Sequence, residues 1–330
     1  MARLATVYGG SGFVGRYVVQ RLAHEGWRVR VAVRRPNEAL FVRAYGDVGQ
    51  VEPVPCNIRD DESVARVMEG AEAVVNCVGI LIEEGRNRFE AVQNEGAERV
   101  ARIASEKGVK SLVHLSALGA DENSPSNYAR TKALGEKAVL RHFPQAMILR
   151  PSVIFGPEDR FFNRFADMAR FGPVLPIVGG KTRFQPVFVD DVAAAAEMGA
   201  EGKASGIYEL GGPEIDTLRN IIAKMLKMIN RRRLILNLPF WMGSVIGFVF
   251  DMAQAVSMGL FTNTILTRDQ VRLLRHDIVV GEGARTLHDL GITPAAFEAI
   301  VPEYLWRFRP DGQYDEIKQS MLWLRKLRRI

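Results

Sequence analysis

The sequence predicts an α/β protein, a doubly wound parallel sheet with a smaller, irregular, α-rich carboxyl-terminal lobe. Three observations carry this reading. Strand-like and helix-like runs alternate through residues 1–150, and a glycine-rich turn joins the first strand to the first helix. After Arg150 the alternation gives way to proline and glycine at 151, 156, 157, 172, 173, 176, 179 and 180.

Taken in order, Leu4–Tyr8 is a short apolar run ending in glycines, and Phe13–His24 has helical periodicity that stops at Gly26. Arg28–Val33, Val51–Cys56 and Ala73–Val78 read as strands. Asn87–Lys107 reads as one long helix closed by Gly108, followed by a strand over Ser111–Ser116. Asn127–His142 is a helix stopped ahead of Pro144, and Ala146–Arg150 is a sixth strand. Strands separated by helices of this length imply right-handed crossovers and a parallel sheet, with ligands bound beyond the strands' carboxyl ends. Residues 1–150 therefore form a nucleotide-binding domain, its sheet completed by parts of 151–215, and 151–330 form the second lobe.

At 330 residues, with 47% hydrophobic and 25% charged side chains, the composition excludes disordered, collagenous and coiled-coil classes. Cys56 and Cys77 are the only cysteines, so a disulfide framework is ruled out and a reducing compartment is expected. Both thiols read as small packing groups. The five histidines, at 24, 114, 142, 276 and 288, have no metal-ligand spacing, and no metal site is expected.

Tyr8-Gly9-Gly10-Ser11-Gly12-Phe13-Val14-Gly15 places glycines at 9, 12 and 15 of the first strand–helix junction. The first permits a tight turn, the second lets backbone N–H groups reach a pyrophosphate, and the third lets helix and sheet approach closely. Gly9, Gly12, Phe13, Val14 and Gly15 are thus expected to cradle the phosphates of a dinucleotide in a Rossmann-type fold. The second strand ends in Val33-Arg34-Arg35-Pro36, with no acid to hold a ribose 2′-hydroxyl. Guanidinium groups there suit a 2′-phosphate, so Arg34 and Arg35 point to NADP(H). Asn57, followed by Ile58 at the end of the third strand, is placed to meet the adenine.

Tyr128-Ala129-Arg130-Thr131-Lys132 sets a phenol and an ammonium on one helix face. The lysine is expected to lower the phenol pKa and make Tyr128 a proton donor to a carbonyl oxygen. Ser116, at the end of the fifth strand, is expected to orient the same oxygen.

With the glycine loop, these residues give the chain a resemblance to the short-chain dehydrogenase/reductase superfamily, in its extended and atypical branches, over residues 3–215. Asn76-Cys77-Val78-Gly79 is similar to the family's turn beside the cofactor, and Asn94-Glu95-Gly96-Ala97 to the helix motif after it. Leu149-Arg150-Pro151-Ser152-Val153-Ile154 is similar to the segment running over the nicotinamide. The resemblance therefore implies cofactor contacts from Cys77, Val78, Gly79, Pro151 and Val153, and from Tyr128 and Lys132. The runs Pro186–Ala193 and Tyr208–Gly212 resemble downstream scaffold motifs, whose acids are expected to cap helices and anchor loops.

A narrower resemblance is carried by Phe155-Gly156-Pro157-Glu158-Asp159-Arg160-Phe161-Phe162, Phe171-Gly172-Pro173, Gln185-Pro186-Val187, Leu266–Val271 and Leu287–Ile292. These look like the dehydrogenase-like accessory subunits of respiratory complex I, NADH:ubiquinone oxidoreductase. That likeness implies a tightly held NADPH without catalysis, and docking beside the quinone-binding region at the membrane surface. Ser116, Tyr128 and Lys132 are nonetheless retained.

Phe240–Phe261 is the most apolar stretch, but Asp251 sits near its middle and makes a spanning helix unfavourable. On a helical wheel Ser244, Gly247, Asp251, Gln254 and Ser257 lie on one side. Trp241, Val245, Phe248, Val249, Met252 and Val256 lie on the other. An amphipathic helix on a membrane or partner, or a buried helix of the second lobe, fits this pattern. The net charge is +6, and the stretch 318–330 holds Lys318, Arg325, Lys326, Arg328 and Arg329 without an acid. An anionic membrane surface or acidic partner is expected, and nucleic acid is not, since no stacking aromatics interleave a basic face. Met1-Ala2-Arg3-Leu4 runs straight into a strand with no signal or transit pattern, so either a bacterial cytoplasm is expected or a targeting segment has been removed. Taken with the membrane docking that the resemblance implies, the first gives the cytoplasmic face of a bacterial inner membrane as the expected location.

Two functions follow. One is a complex I accessory subunit with a mainly structural NADP(H), its partners being neighbouring subunits near the quinone site, the membrane and a quinone. The other is an NADPH-dependent reductase or epimerase acting on a hydrophobic or quinone-related substrate, or a factor in ubiquinone synthesis.

Overall fold

The computed structural model describes residues 3–257, 262–263, 265–310 and 312. Its centre is a seven-stranded sheet. Six of its strands are β1 (Leu4–Tyr8), β2 (Arg28–Val33), β3 (Val51–Pro55), β4 (Ala73–Asn76), β5 (Ser111–Leu115) and β6 (Met147–Pro151). The seventh, Gly206–Leu210, lies outside β6, giving the spatial order Gly206–Leu210, β6, β5, β4, β1, β2, β3. Every pairing is parallel. The order reverses between β1 and β4, and the crevice there is where such sheets take ligands.

Helices α1 (Phe13–His24), α2 (Asp61–Met68), α3 (Glu95–Glu106) and α4 (Asn127–His142) follow β1, β3, β4 and β5, while α5 (Phe162–Phe171) and α6 (Val189–Ala200) follow β6. Valines dominate the inner strands because those are covered on both faces. One layer packs Val18, Leu22 and Val192 of α1 and α6 against Val7 and Val31. The other packs Val64, Val100, Ile103 and Val139 of α2, α3 and α4 against Val74 and Ile148.

The sheet matches the expected fold class, and its differences from expectation have local causes. Cys56, Val78 and Ser116 fall just past the strands assigned to them, in the turns at the ligand edge. The expected helix from Asn87 begins instead with a π turn over Glu90–Asn94 that passes into α3. The extra residue per turn does not alter apolar periodicity enough to show in a sequence. Helix α2 was not anticipated, though Asp60 caps it through the backbone N–H of Ser63.

The region after Arg150 is more ordered than its prolines suggest. It holds α5, α6, α7 (Leu218–Met228), α8 (Phe240–Val256), α9 (Arg268–Leu273) and α10 (Phe297–Leu305). A third core joins Phe155, Phe162, Leu175, Ile221, Met225 and Val301. Asp159 ties it together, accepting from the Gly156 and Asn163 backbone and from the Tyr304 hydroxyl at 2.6 Å. Val174–Val178 and Leu234–Leu238 form a separate parallel pair leading into α8. Helix α8 ends at Val256, and residues 258–261 of the expected longer helix lie outside the described residues, as does the basic stretch 318–330.

Candidate dinucleotide site

The glycine turn forms as its sequence requires. Gly9 has φ +73°, a conformation in which a side chain is strained, and a Cβ on Gly15 would collide with the Gly9 carbonyl. Gly12 occupies the N-cap of α1, where no side chain caps the helix. The first-turn N–H groups of Phe13 and Val14 therefore face the sheet's ligand edge with the positive end of the helix dipole behind them. A pyrophosphate fits this cradle.

The other expected contacts gather along the same edge. Val78 packs against Gly9, the Cys77 N–H donates to the Tyr8 carbonyl, and the Val78 N–H donates to Asn76 Oδ1. Burial raises both thiols, Cys56 to about 11 and Cys77 to about 12, in keeping with packing groups. Pro151 closes β6 and is buried, with Val153 two residues on, half-buried against the third core. Arg34 and Arg35 are exposed at the end of β2, and Arg35 pairs with Glu38 at 3.0 Å. Asn57 Oδ1 accepts from the Arg59 backbone N–H at 3.2 Å, while Ile58 packs over Gly96. Both lie just past the end of β3, at the sheet's ligand edge.

The three polar groups expected at the reacting centre are arranged otherwise than anticipated. Lys132 Nζ donates to the Leu115 carbonyl at 2.9 Å and lies beside Gly79. Burial pulls this ammonium down to about 8. Tyr128 stacks edge-to-face with Phe89 at 5.9 Å, and burial alone pushes its phenol up to about 12. The expected lowering by Lys132 is therefore absent, because the ammonium is directed to a backbone carbonyl and the phenol gains only desolvation.

Ser116 is also committed elsewhere. Its hydroxyl donates to Glu136 Oε1, and Glu136 is gripped by Arg150, with Nη2 to Oε2 at 2.6 Å. Arg150 Nη1 reaches Glu209 at 3.4 Å, and Glu209 accepts from the Gly281 N–H at 2.8 Å. The network locks β5, α4, β6 and the Gly206–Leu210 strand together beneath the site. Glu136 follows Lys132 by four residues, so the same helical spacing that revealed the Tyr-Lys pair also signalled it. Of the downstream acids, Asp190 pairs with Arg21 at 2.7 Å and Asp191 accepts from the Ala295 N–H at 2.8 Å. They anchor α1 and the segment before α10.

Asp269 escaped the sequence reading as a site residue. Its carboxylate accepts from the Ser126 hydroxyl at 2.6 Å, the Asn127 N–H at 2.7 Å and the Tyr128 N–H at 3.1 Å. It caps the helix that carries Tyr128 and Lys132 from the distant α9.

Residues 5–211 match the NAD dependent epimerase/dehydratase family. The chain belongs to that family. Proteins of this epimerase/dehydratase class bind a nicotinamide dinucleotide, in agreement with the glycine cradle. Among relatives, subunit 9 of the NADH dehydrogenase [ubiquinone] 1 alpha subcomplex from Arabidopsis thaliana mitochondria is 36% identical over 316 residues, covering 94% of this chain and 79% of that one. The mitochondrial 40 kDa subunit of NADH-ubiquinone oxidoreductase from Neurospora crassa is 32% identical, covering 94% and 81%. A ceramide reductase of Caulobacter vibrioides is 33% identical over 207 residues, 63% of this chain and 64% of that protein. Among solved structures, the Escherichia coli NADPH-dependent quinone oxidoreductase complexed with NADPH superposes with a TM-score of 0.70 at 19% identity, covering 92% of this chain and 99% of that one. Among the described residues, no helix is long and apolar enough to cross a membrane.

Proposed function

We propose that this epimerase/dehydratase-family chain is an NADP(H)-binding accessory subunit of a bacterial respiratory complex I. In this reading it is held at the cytoplasmic membrane surface near the quinone site, and its cofactor serves mainly to stabilise the fold. The observation that carries this reading is the extent of similarity. Likeness to the mitochondrial subunits runs over 94% of the chain, into the carboxyl-terminal lobe, whereas likeness to the ceramide reductase covers 63%.

The site supports the same reading. Arg34 and Arg35 replace the acid that an NAD-preferring site sets against the ribose 2′-hydroxyl. Phe13, Val14 and Gly15 would hold the pyrophosphate, Asn57 and Ile58 the adenine, and Cys77–Gly79 with Pro151 and Val153 the nicotinamide end. A ligand selective for the folded state stabilises it by mass action, without turnover. Ser116 has its hydroxyl on Glu136, and the Tyr128 phenol stands well above neutral pH.

A second reading is favoured by retention of Tyr128 and Lys132: an NADPH-dependent reductase or epimerase for a hydrophobic or quinone-related substrate, or a factor in ubiquinone synthesis. When bound, the dinucleotide supplies two-electron reducing equivalents. Tyr128 would then give its proton to the nascent alkoxide, with Lys132 lending positive charge beside it. Native purification from membranes separates the readings. Co-migration with complex I, with NADP(H) released on denaturation, is expected; a chain that never co-migrates and turns over NADPH would establish the second.

A further inference from the structure

Helix α8 is oriented with its polar side inward. Asp251 accepts from Asn263 Nδ2 at 2.8 Å and from the Arg268 N–H at 3.1 Å. Gln254 donates to the Glu83 carbonyl at 2.8 Å and accepts from the Asn263 N–H at 2.7 Å. Gly243 and Gly247 let the helix lie close to Val178 and to the Thr267–Arg268 backbone. The polar stripe is thus used for docking α8 to the body of the protein.

The apolar stripe consequently faces outward. Trp241 is 67% exposed, Val249 56% and Val256 72%, with Val245, Phe248 and Met252 also exposed between them. Leu234 and Leu236, on the strand leading into α8, are exposed as well. A surface helix ordinarily turns this side to the core, and a contiguous apolar face of this extent marks an interaction surface.

Charge at the rim identifies the acceptor. Exposed Arg268 lies over the Phe248 ring at 5.3 Å, exposed Arg275 over Phe240 at 5.6 Å, and Arg170 over Phe171 at 5.8 Å. Arg232 is also exposed just ahead of the strand. The one acid within α8, Asp251, points inward. Guanidinium groups stacked on aromatics beside a tryptophan and aliphatic side chains suit the boundary between anionic headgroups and acyl chains. At 17 residues, α8 extends about 25 Å and would lie in the plane of the interface.

We infer that the outward face of α8 is a docking surface for an anionic phospholipid bilayer, inserted as far as Trp241, Val245, Phe248, Val249, Met252 and Val256. The inference rests on the membrane placement in the proposed function but not on complex I itself.

The test uses the purified full-length chain and vesicles of phosphatidylcholine, with or without one-third phosphatidylglycerol. Binding to the anionic vesicles is expected, falling at least tenfold in high salt and at least tenfold in Val245→Glu/Val249→Glu. Since both positions are exposed, that variant should keep wild-type thermal stability and nucleotide binding. Brominated lipid should quench a fluorescence component that Trp241→Phe removes. Absence of vesicle binding overturns the inference, and so does equal binding to neutral vesicles. A chain that self-associates through this face, and is made monomeric by the double variant without vesicle binding, also overturns it. Full binding by the double variant with loss in Leu322→Glu/Trp323→Glu would assign the contact to the carboxyl-terminal stretch instead. A chain that co-migrates with complex I yet ignores vesicles refutes only the lipid assignment; one that binds vesicles but never co-migrates refutes only the subunit reading.

Discussion

The Asp269 carboxylate accepts the backbone N–H of Tyr128 at 3.1 Å, across 141 residues of chain. The same carboxylate holds Ser126 and Asn127, so the first turn of α4 is fixed by the carboxyl-terminal lobe. Asp269→Ala should cost about 1–2 kcal/mol, the range for losing a helix cap with its charge. It should also weaken dinucleotide retention, because the capped turn leads to Lys132, which lies beside Gly79 at the ligand edge. Thermal unfolding with and without NADPH would show both effects.

The Glu136–Arg150 pair is the buried electrostatic anchor of the site, its side chains 4% and 24% exposed. Glu136→Ala leaves Arg150 with Glu209 and strips the Ser116 hydroxyl of its acceptor. Breaking a buried pair from one side costs about 3–5 kcal/mol, and the remaining Glu209 contact places the expected loss near the lower end. Chemical denaturation of the variant should report it as a reduced midpoint with an unchanged slope.

His114 gives the fold an acid limit. It is 1% exposed, faces Asn76 Nδ2 at 3.3 Å, and burial with the Lys132 charge holds its pKa down to about 3. The unfolded chain takes up this proton near the ordinary value of about 6.5, so it binds more protons than the folded chain between the two. Stability is therefore fully present above about pH 6.5 and falls as pH drops towards 3. His114→Gln should flatten the pH dependence of unfolding in that window.

The fold was legible because burial on both faces of the sheet leaves valine-rich runs, and crossovers leave helices of regular length between them. Glycines 9, 12 and 15 announced the cradle, since close backbone approach has few other solutions. The polar centre was only half legible. Helical spacing brought Tyr128, Lys132 and Glu136 onto one face, but not where Lys132 would direct its proton donors. The expectation that it would lower the Tyr128 pKa failed on that point. Asp269 was illegible as a cap because nothing local links it to α4. The two sides of α8 were plain on the wheel, but only the Asp251 and Gln254 hydrogen bonds establish that the polar side faces inward.

Tyr128→Phe separates a structural cofactor from a working one. The phenol makes no hydrogen bond among the described residues, and its ring packs on Phe89. The variant should keep NADPH binding, thermal stability and assembly within error. Loss of an NADPH-linked turnover in this variant would instead support the reductase reading.

In the proposed NADP(H) site, Arg34 and Arg35 would meet the 2′-phosphate. Competitive calorimetry of NADPH against NADH on the purified chain checks this. NADPH should bind at least tenfold more tightly, and Arg34→Ala/Arg35→Ala should erase most of that margin while leaving NADH affinity nearly unchanged. Tighter binding of NADH, or heat from neither dinucleotide, would show that Arg34 and Arg35 form no 2′-phosphate site.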